Sequence, residues 1–151
     1  MPNRLLPRNA DNNFQGHKVA LWIFSIVLLM FAAMSMNSIF NGHYVAVNAD
    51  GLPLGTYTPA GAQAVVSFYA TWGVTQLIIV TLGVIVLVRY RALVPLMFLL
   101  LLSEELLLKV INNCLPIAKP NGAPASLFII ALLSLMALGL ILSLWRRNAE
   151  T

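Results

Sequence analysis

Two adjacent acids and a lysine, Glu104, Glu105 and Lys109, lie inside a helix-length apolar run from Ala92 to Ile111. Ionisable groups are costly inside such a run if it crosses a membrane, so they mark where function is to be sought. The i,i+4 spacing stacks Glu105 and Lys109 on one helix face, and Asn112 and Asn113 continue a polar stripe beyond them. Glu104 is turned by roughly 100° from Glu105 around the helix, so the two carboxylates do not share one radius. The chemistry on offer is a coupled acid pair with an ammonium one turn on. It suits holding or moving a proton or cation, or acid–base work on an apolar substrate. The plainer reading is an ion pair that aligns helices.

Other polar groups fall at matching depth. The second apolar run carries Gln63, Ser67, Thr71 and Thr75 at i,i+4 spacing, and the first ends with Ser35, Asn37 and Ser38. A cluster of Glu105, Lys109, Asn37, Ser67 and Thr71 is therefore expected to line a polar recess. Trp72 lies deep enough to line a ligand pocket.

The elements that must position these groups are membrane helices. Sixty per cent of residues are hydrophobic and only 9% charged, and the mean hydropathy of +0.85 exceeds that of an ordinary soluble domain. Four runs, Val19–Phe40, Ala62–Val88, Ala92–Ile111 and Ala125–Trp145, match the roughly 20 helical residues needed to cross a hydrocarbon core. Buried helices of a soluble core are the alternative for any one run, but four leave too little polar sequence to cover such a core. The runs are too long and too continuously apolar for barrel strands of about 10 alternating residues.

The expected fold is thus an all-α, antiparallel bundle of four transmembrane helices. It divides into an N-terminal segment 1–18, a membrane domain 19–147 and a tail 148–151. Arg4, Arg8, Lys18, Arg89, Arg91, Arg146 and Arg147 fall on one side and only Lys119 on the other. The positive-inside rule then makes both termini and the Arg89-Tyr90-Arg91 turn cytoplasmic, with anionic lipid as the partner of that face. By the same count the acids and Lys109 lie toward the noncytoplasmic side. A cleaved leader is disfavoured because the first run starts far from Met1, is too long, and ends in a poor cleavage sequence.

Between the first two runs, residues 41–61 combine aromatics, short apolar stretches and turn formers with few charges. An ordered noncytoplasmic cap is expected there, in which Asp50-Gly51 turns and the Val45/Val47 alternation allows a brief strand. Pro116 and the Gly122/Pro124 region supply the turn into the fourth helix.

Several chemistries find no support. Cys114 is the sole cysteine, so no internal disulfide or paired-thiol mechanism is available. His17 and His43 flank the first run on opposite faces and cannot share a metal or haem, and no metal site is predicted. Nucleophile triads, phosphate loops, metalloprotease motifs and nucleic-acid signatures are missing, and the residues by themselves predict no cofactor and no nucleic-acid partner.

The layout of four spans, a short Arg89-Tyr90-Arg91 connection, a Gly122/Pro124 turn and a basic tail resembles the small DoxX-like four-helix bacterial membrane proteins. That group includes quinone-linked redox subunits as well as proteins without an assigned role. The resemblance implies the bundle fold, a bacterial inner membrane and contact with a quinone, and it transfers no catalytic motif.

Three functions follow as expectations. The first is a structural or accessory membrane subunit that assembles as a homo-oligomer or within a larger membrane complex. The second is a small transporter or binder of a lipid, quinone or cationic molecule at Glu104, Glu105 and Lys109. The third is an enzyme using the two glutamates as acid and base.

Overall fold

The computed structural model describes Leu5, residues 11–116 and residues 125–145. The cations Arg4, Arg8, Lys119, Arg146 and Arg147, the Gly122/Pro124 turn and the 148–151 tail lie outside the described residues. The described chain is helical, with four long helices: α1 (Lys18–Phe40), α2 (Pro59–Arg89), α3 (Val94–Cys114) and α4 (Ser126–Leu144). Helices α1, α2 and α4 are long and apolar enough to cross a membrane. With 21 residues α3 is of similar length, but it carries Glu104, Glu105 and Lys109.

Local chemistry sets the helix ends. His17 Nδ1 accepts from the Val19 N–H at the start of α1, and Thr58 Oγ1 accepts from the Gly61 N–H at the start of α2. Pro59 follows Thr58 at the first helical position, where its missing N–H costs nothing. Tyr90 leaves the helical region, and a single tight turn, Arg91–Leu93, reverses the chain into α3. Arg91 Nε reaches back to the Leu87 carbonyl at 3.0 Å, satisfying a free acceptor at the end of α2.

Cross-links at the two ends show that successive helices run in opposite directions. The His17 N–H donates to Leu142 O (3.1 Å) and the Ala92 N–H to Asp11 O (3.2 Å). The N-terminal segment, the Tyr90 turn and the end of α4 therefore meet at one end, called the turn end. At the other, the cap end, the Ala125 N–H donates to Ala49 O at 3.2 Å.

Helix α1 packs along α2 and also against α4, while α3 packs chiefly on α4. The core joins Phe24, Val27 and Phe31 of α1 to Met97, Phe98 and Leu101 of α3 and to Leu132 and Met136 of α4. Phe24 and Phe98 meet edge to face with centroids 5.0 Å apart, a geometry that the ring quadrupoles favour. The buried serines Ser35 and Ser143 bond carbonyls of their own helices, Phe31 O and Leu140 O. They can therefore enter the core without stranding a hydroxyl.

The segment between α1 and α2 is a folded cap, but its expected strand does not form. Gly42–Tyr44 makes a helical turn, Val45–Ala49 a wider five-residue turn, and Leu54–Thr56 a tight one. A strand needs a partner to satisfy its backbone, whereas helical turns satisfy it locally. Here the Asp50 N–H donates to Val45 O and Asn48 Nδ2 donates to Tyr44 O. Gly51 reverses the chain at φ 70°, a conformation that side chains with a Cβ rarely adopt. Ala46, Leu52 and Leu54 pack with Tyr69 of α2 as a second small core.

Tyr69 also donates its hydroxyl to Asp50 Oδ2, a hydrogen bond that ties the cap to α2. Tyr69→Phe keeps the ring packing and removes only this bond, so a loss of about 1.5–3 kcal/mol is expected in the local stability of the cap. Hydrogen exchange of the 45–52 amides should rise by at least tenfold, with exchange in α4 unchanged.

Candidate recess between α1, α2 and α3

The three ionisable groups of α3 part company. Glu105 turns inward and is 9% exposed, Glu104 is half-buried, and Lys109 is exposed. Among the described residues Glu105 and Lys109 form no ion pair, contrary to the pairing expected from their spacing. One turn of helix separates their Cα atoms by about 6 Å along the axis, and only Glu105 lies where α3 faces α1 and α2. Asn112, Asn113 and Cys114 are exposed at the cap end of α3.

Glu105 opens onto a recess shared with Ser35 and Ser38 of α1 and Trp72, Gly73 and Gln76 of α2. Phe31 and Met34 supply apolar wall. The space open to the centres of water-sized molecules is about 20 Å³, enough for a water or a bare ion and far below the few hundred Å³ of ordinary small-molecule pockets. Gly73 makes the recess possible by bringing the helices together. A Cβ at that position would lie 2.8 Å from the Ser35 carbonyl oxygen and 2.9 Å from Ile39 Cγ1.

Gln76 is the feature that spacing alone does not single out. It is 5% exposed, and neither its Oε1 nor its Nε2 makes a hydrogen bond of good geometry. A buried amide left in this state costs about 1–3 kcal/mol per unsatisfied group. Glu104 approaches the Gln76 side chain closely enough to interact with it, and it also interacts electrostatically with Glu105. Gln76 thus interacts with Glu104 and lines the recess with Glu105.

The grouping differs from the expected one at helices one and two. Ser67 and Thr71 are exposed, as are Gln63 and Thr75. The hydroxyls of Thr71 and Thr75 bond back to Ser67 O (2.9 Å) and Thr71 O (3.2 Å). Asn37 is exposed too and accepts from Asn41 Nδ2 at 3.0 Å. The recess instead uses the buried neighbours of each: Gln76 on α2, and Ser35 and Ser38 on α1. Trp72 does line it. The available signal for Gln76 is the buried ridge Tyr69–Gly73–Gln76–Val80–Gly83, whose alternating steps of four and three follow one face of a helix.

Among the described residues no three His, Cys, Asp or Glu side chains gather in one place. His17 caps the turn end of α1 and His43 is exposed in the cap. Comparison with protein-family models, curated proteins and solved structures gives no match.

Proposed function

We propose that the protein is an integral membrane subunit that associates with a second membrane-embedded chain, either another copy or a larger complex. In this reading all four long helices cross a bacterial inner membrane. Both termini and the Tyr90 turn are cytoplasmic, and anionic lipid lies against the basic edge. The layout shared with DoxX-like proteins agrees with such a bundle and assigns it no chemistry.

The observation that carries the proposal is the cap-end half of α3. Leu106, Leu107, Val110 and Ile111 are all exposed, and Lys109 sits exposed among them with no hydrogen bond or ion pair among the described residues. Acyl chains do not satisfy this ammonium, whereas a second helix carrying a polar group does. The alternative of a lipid or quinone in the recess gains no support from a space of about 20 Å³.

The test uses the single thiol. Cys114 is exposed, so donor- and acceptor-labelled copies can be mixed in liposomes and energy transfer followed as lipid dilutes them. Concentration-dependent transfer is expected, and Lys109→Leu should weaken association about 3–30-fold, the worth of one interhelical polar contact. Transfer at the level of random proximity at every dilution, together with a monomeric mass after extraction into native-lipid discs, would overturn the proposal.

A further inference from the structure

We propose that the recess between α1, α2 and α3 is a binding site for one sodium ion. Four of the residues that line it carry oxygens that suit a small hard cation: the Glu105 carboxylate, the Gln76 amide oxygen and the Ser35 and Ser38 hydroxyls. Gln76 is 95% buried by its 5% exposure and has no hydrogen-bond partner at either amide atom. An ion in the recess gives its oxygen a ligand and leaves its N–H groups free to turn to Glu104, with which the side chain already interacts. Ser35 donates its hydroxyl hydrogen to Phe31 O at 2.7 Å, which leaves its lone pairs available to a cation.

Charge and size select the ion. Glu104 and Glu105 lie within electrostatic reach of each other, and the only lysine on their helix is exposed and makes no ion pair with either among the described residues. A positive charge is what the recess lacks, and an apolar surrounding magnifies that need. Calcium and magnesium sites gather several carboxylates or keep several waters, whereas here one carboxylate and neutral oxygens line a space of about 20 Å³. The same limited space disfavours potassium.

This site does not depend on assembly with a second chain, because every donor belongs to one bundle. It is therefore tested on the purified full chain in detergent micelles, by thermal unfolding in sodium chloride with choline chloride holding ionic strength constant. A saturable rise in midpoint is expected, about 3–6 °C at ten times the dissociation constant. Potassium should give less than a third of it. Glu105→Gln and Gln76→Leu should abolish the sodium-specific part. Should either fail to fold, Ser38→Ala decides, since loss of one neutral ligand is expected to raise the half-saturating sodium concentration about tenfold. Sodium-23 line broadening by the wild-type protein, reversed by lithium, gives a readout independent of stability. Equal shifts in choline, potassium and sodium, or a sodium-specific shift that persists unchanged in Glu105→Gln or Ser38→Ala, would overturn the site.

Discussion

Phe98→Ala is expected to be among the most destabilising single substitutions in the chain, at about 2–4 kcal/mol. Phe98 is fully buried, sits edge-on to Phe24 and lies over Gly139 of α4. In water a Phe-to-Ala change in a core costs about 3–5 kcal/mol through lost transfer energy and a cavity. In a bilayer the unfolded helices keep their apolar side chains in lipid, so the transfer part shrinks and the packing part remains. The geometry also predicts a coupling. A Cβ added at Gly139 would run into the Phe98 ring and come within 3.0 Å of Ile23 Cγ2, so Gly139→Ala alone should cost about 1–3 kcal/mol. In the Phe98→Ala background the same methyl enters the vacated space, and its cost should fall to near zero. A double-mutant cycle on unfolding free energies reads this directly. Additive effects would mean that α3 and α4 do not meet at this pair.

The long elements were legible in the sequence because they depend on one-dimensional properties. Apolar length locates α1, α2 and α4, and the shortness of Arg89-Tyr90-Arg91 forces α2 and α3 into a hairpin. Pro95 falls in the first turn of α3 as its chemistry requires. The cap was legible as an ordered unit but not in its conformation. Val45 and Val47 alternate as in a strand, yet no second strand is offered among the described residues and local turns take the hydrogen bonds instead.

Site residues were harder, since they depend on which face of each helix turns inward. A row at i,i+4 spacing advances 400° per step and so drifts by about 40° each time. The hydroxyls of Thr71 and Thr75 can also bond their own helix and tolerate exposure. Polarity therefore did not identify the inward face of α2. In the structure glycine marks that face: Gly73 and Gly83 both lie on the buried ridge, and Gln76 shares it. On α3, by contrast, the charged residues were themselves the signal, and Glu105 is the one that the packing turns inward.

The two glycines of α2 allow that principle to be tested by one identical substitution. At Gly73 the nearest atom to an added Cβ is the Ser35 carbonyl oxygen, 2.8 Å away, part of a helix backbone that cannot step aside. At Gly83 the nearest atom is Leu28 Cδ2 at 2.5 Å, the far end of a side chain that can change rotamer. Gly83→Ala should therefore cost less than about 1 kcal/mol, partly offset by the better helix propensity of alanine. Gly73→Ala should cost about 2–3 kcal/mol, because α1 and α2 must move apart along their crossing. The consequence reaches beyond stability. Separating the helices at Gly73 also moves Ser35 and Ser38 away from Gln76, so Gly73→Ala should reduce the sodium-dependent stabilisation in parallel, while Gly83→Ala, about two turns from Gln76 on the turn-end side, leaves it intact. Equal costs at the two glycines would show that a side-chain collision, rather than backbone approach, limits the α1–α2 crossing. A full sodium response in Gly73→Ala would show that the oxygen donors need not be held as closely as this crossing holds them.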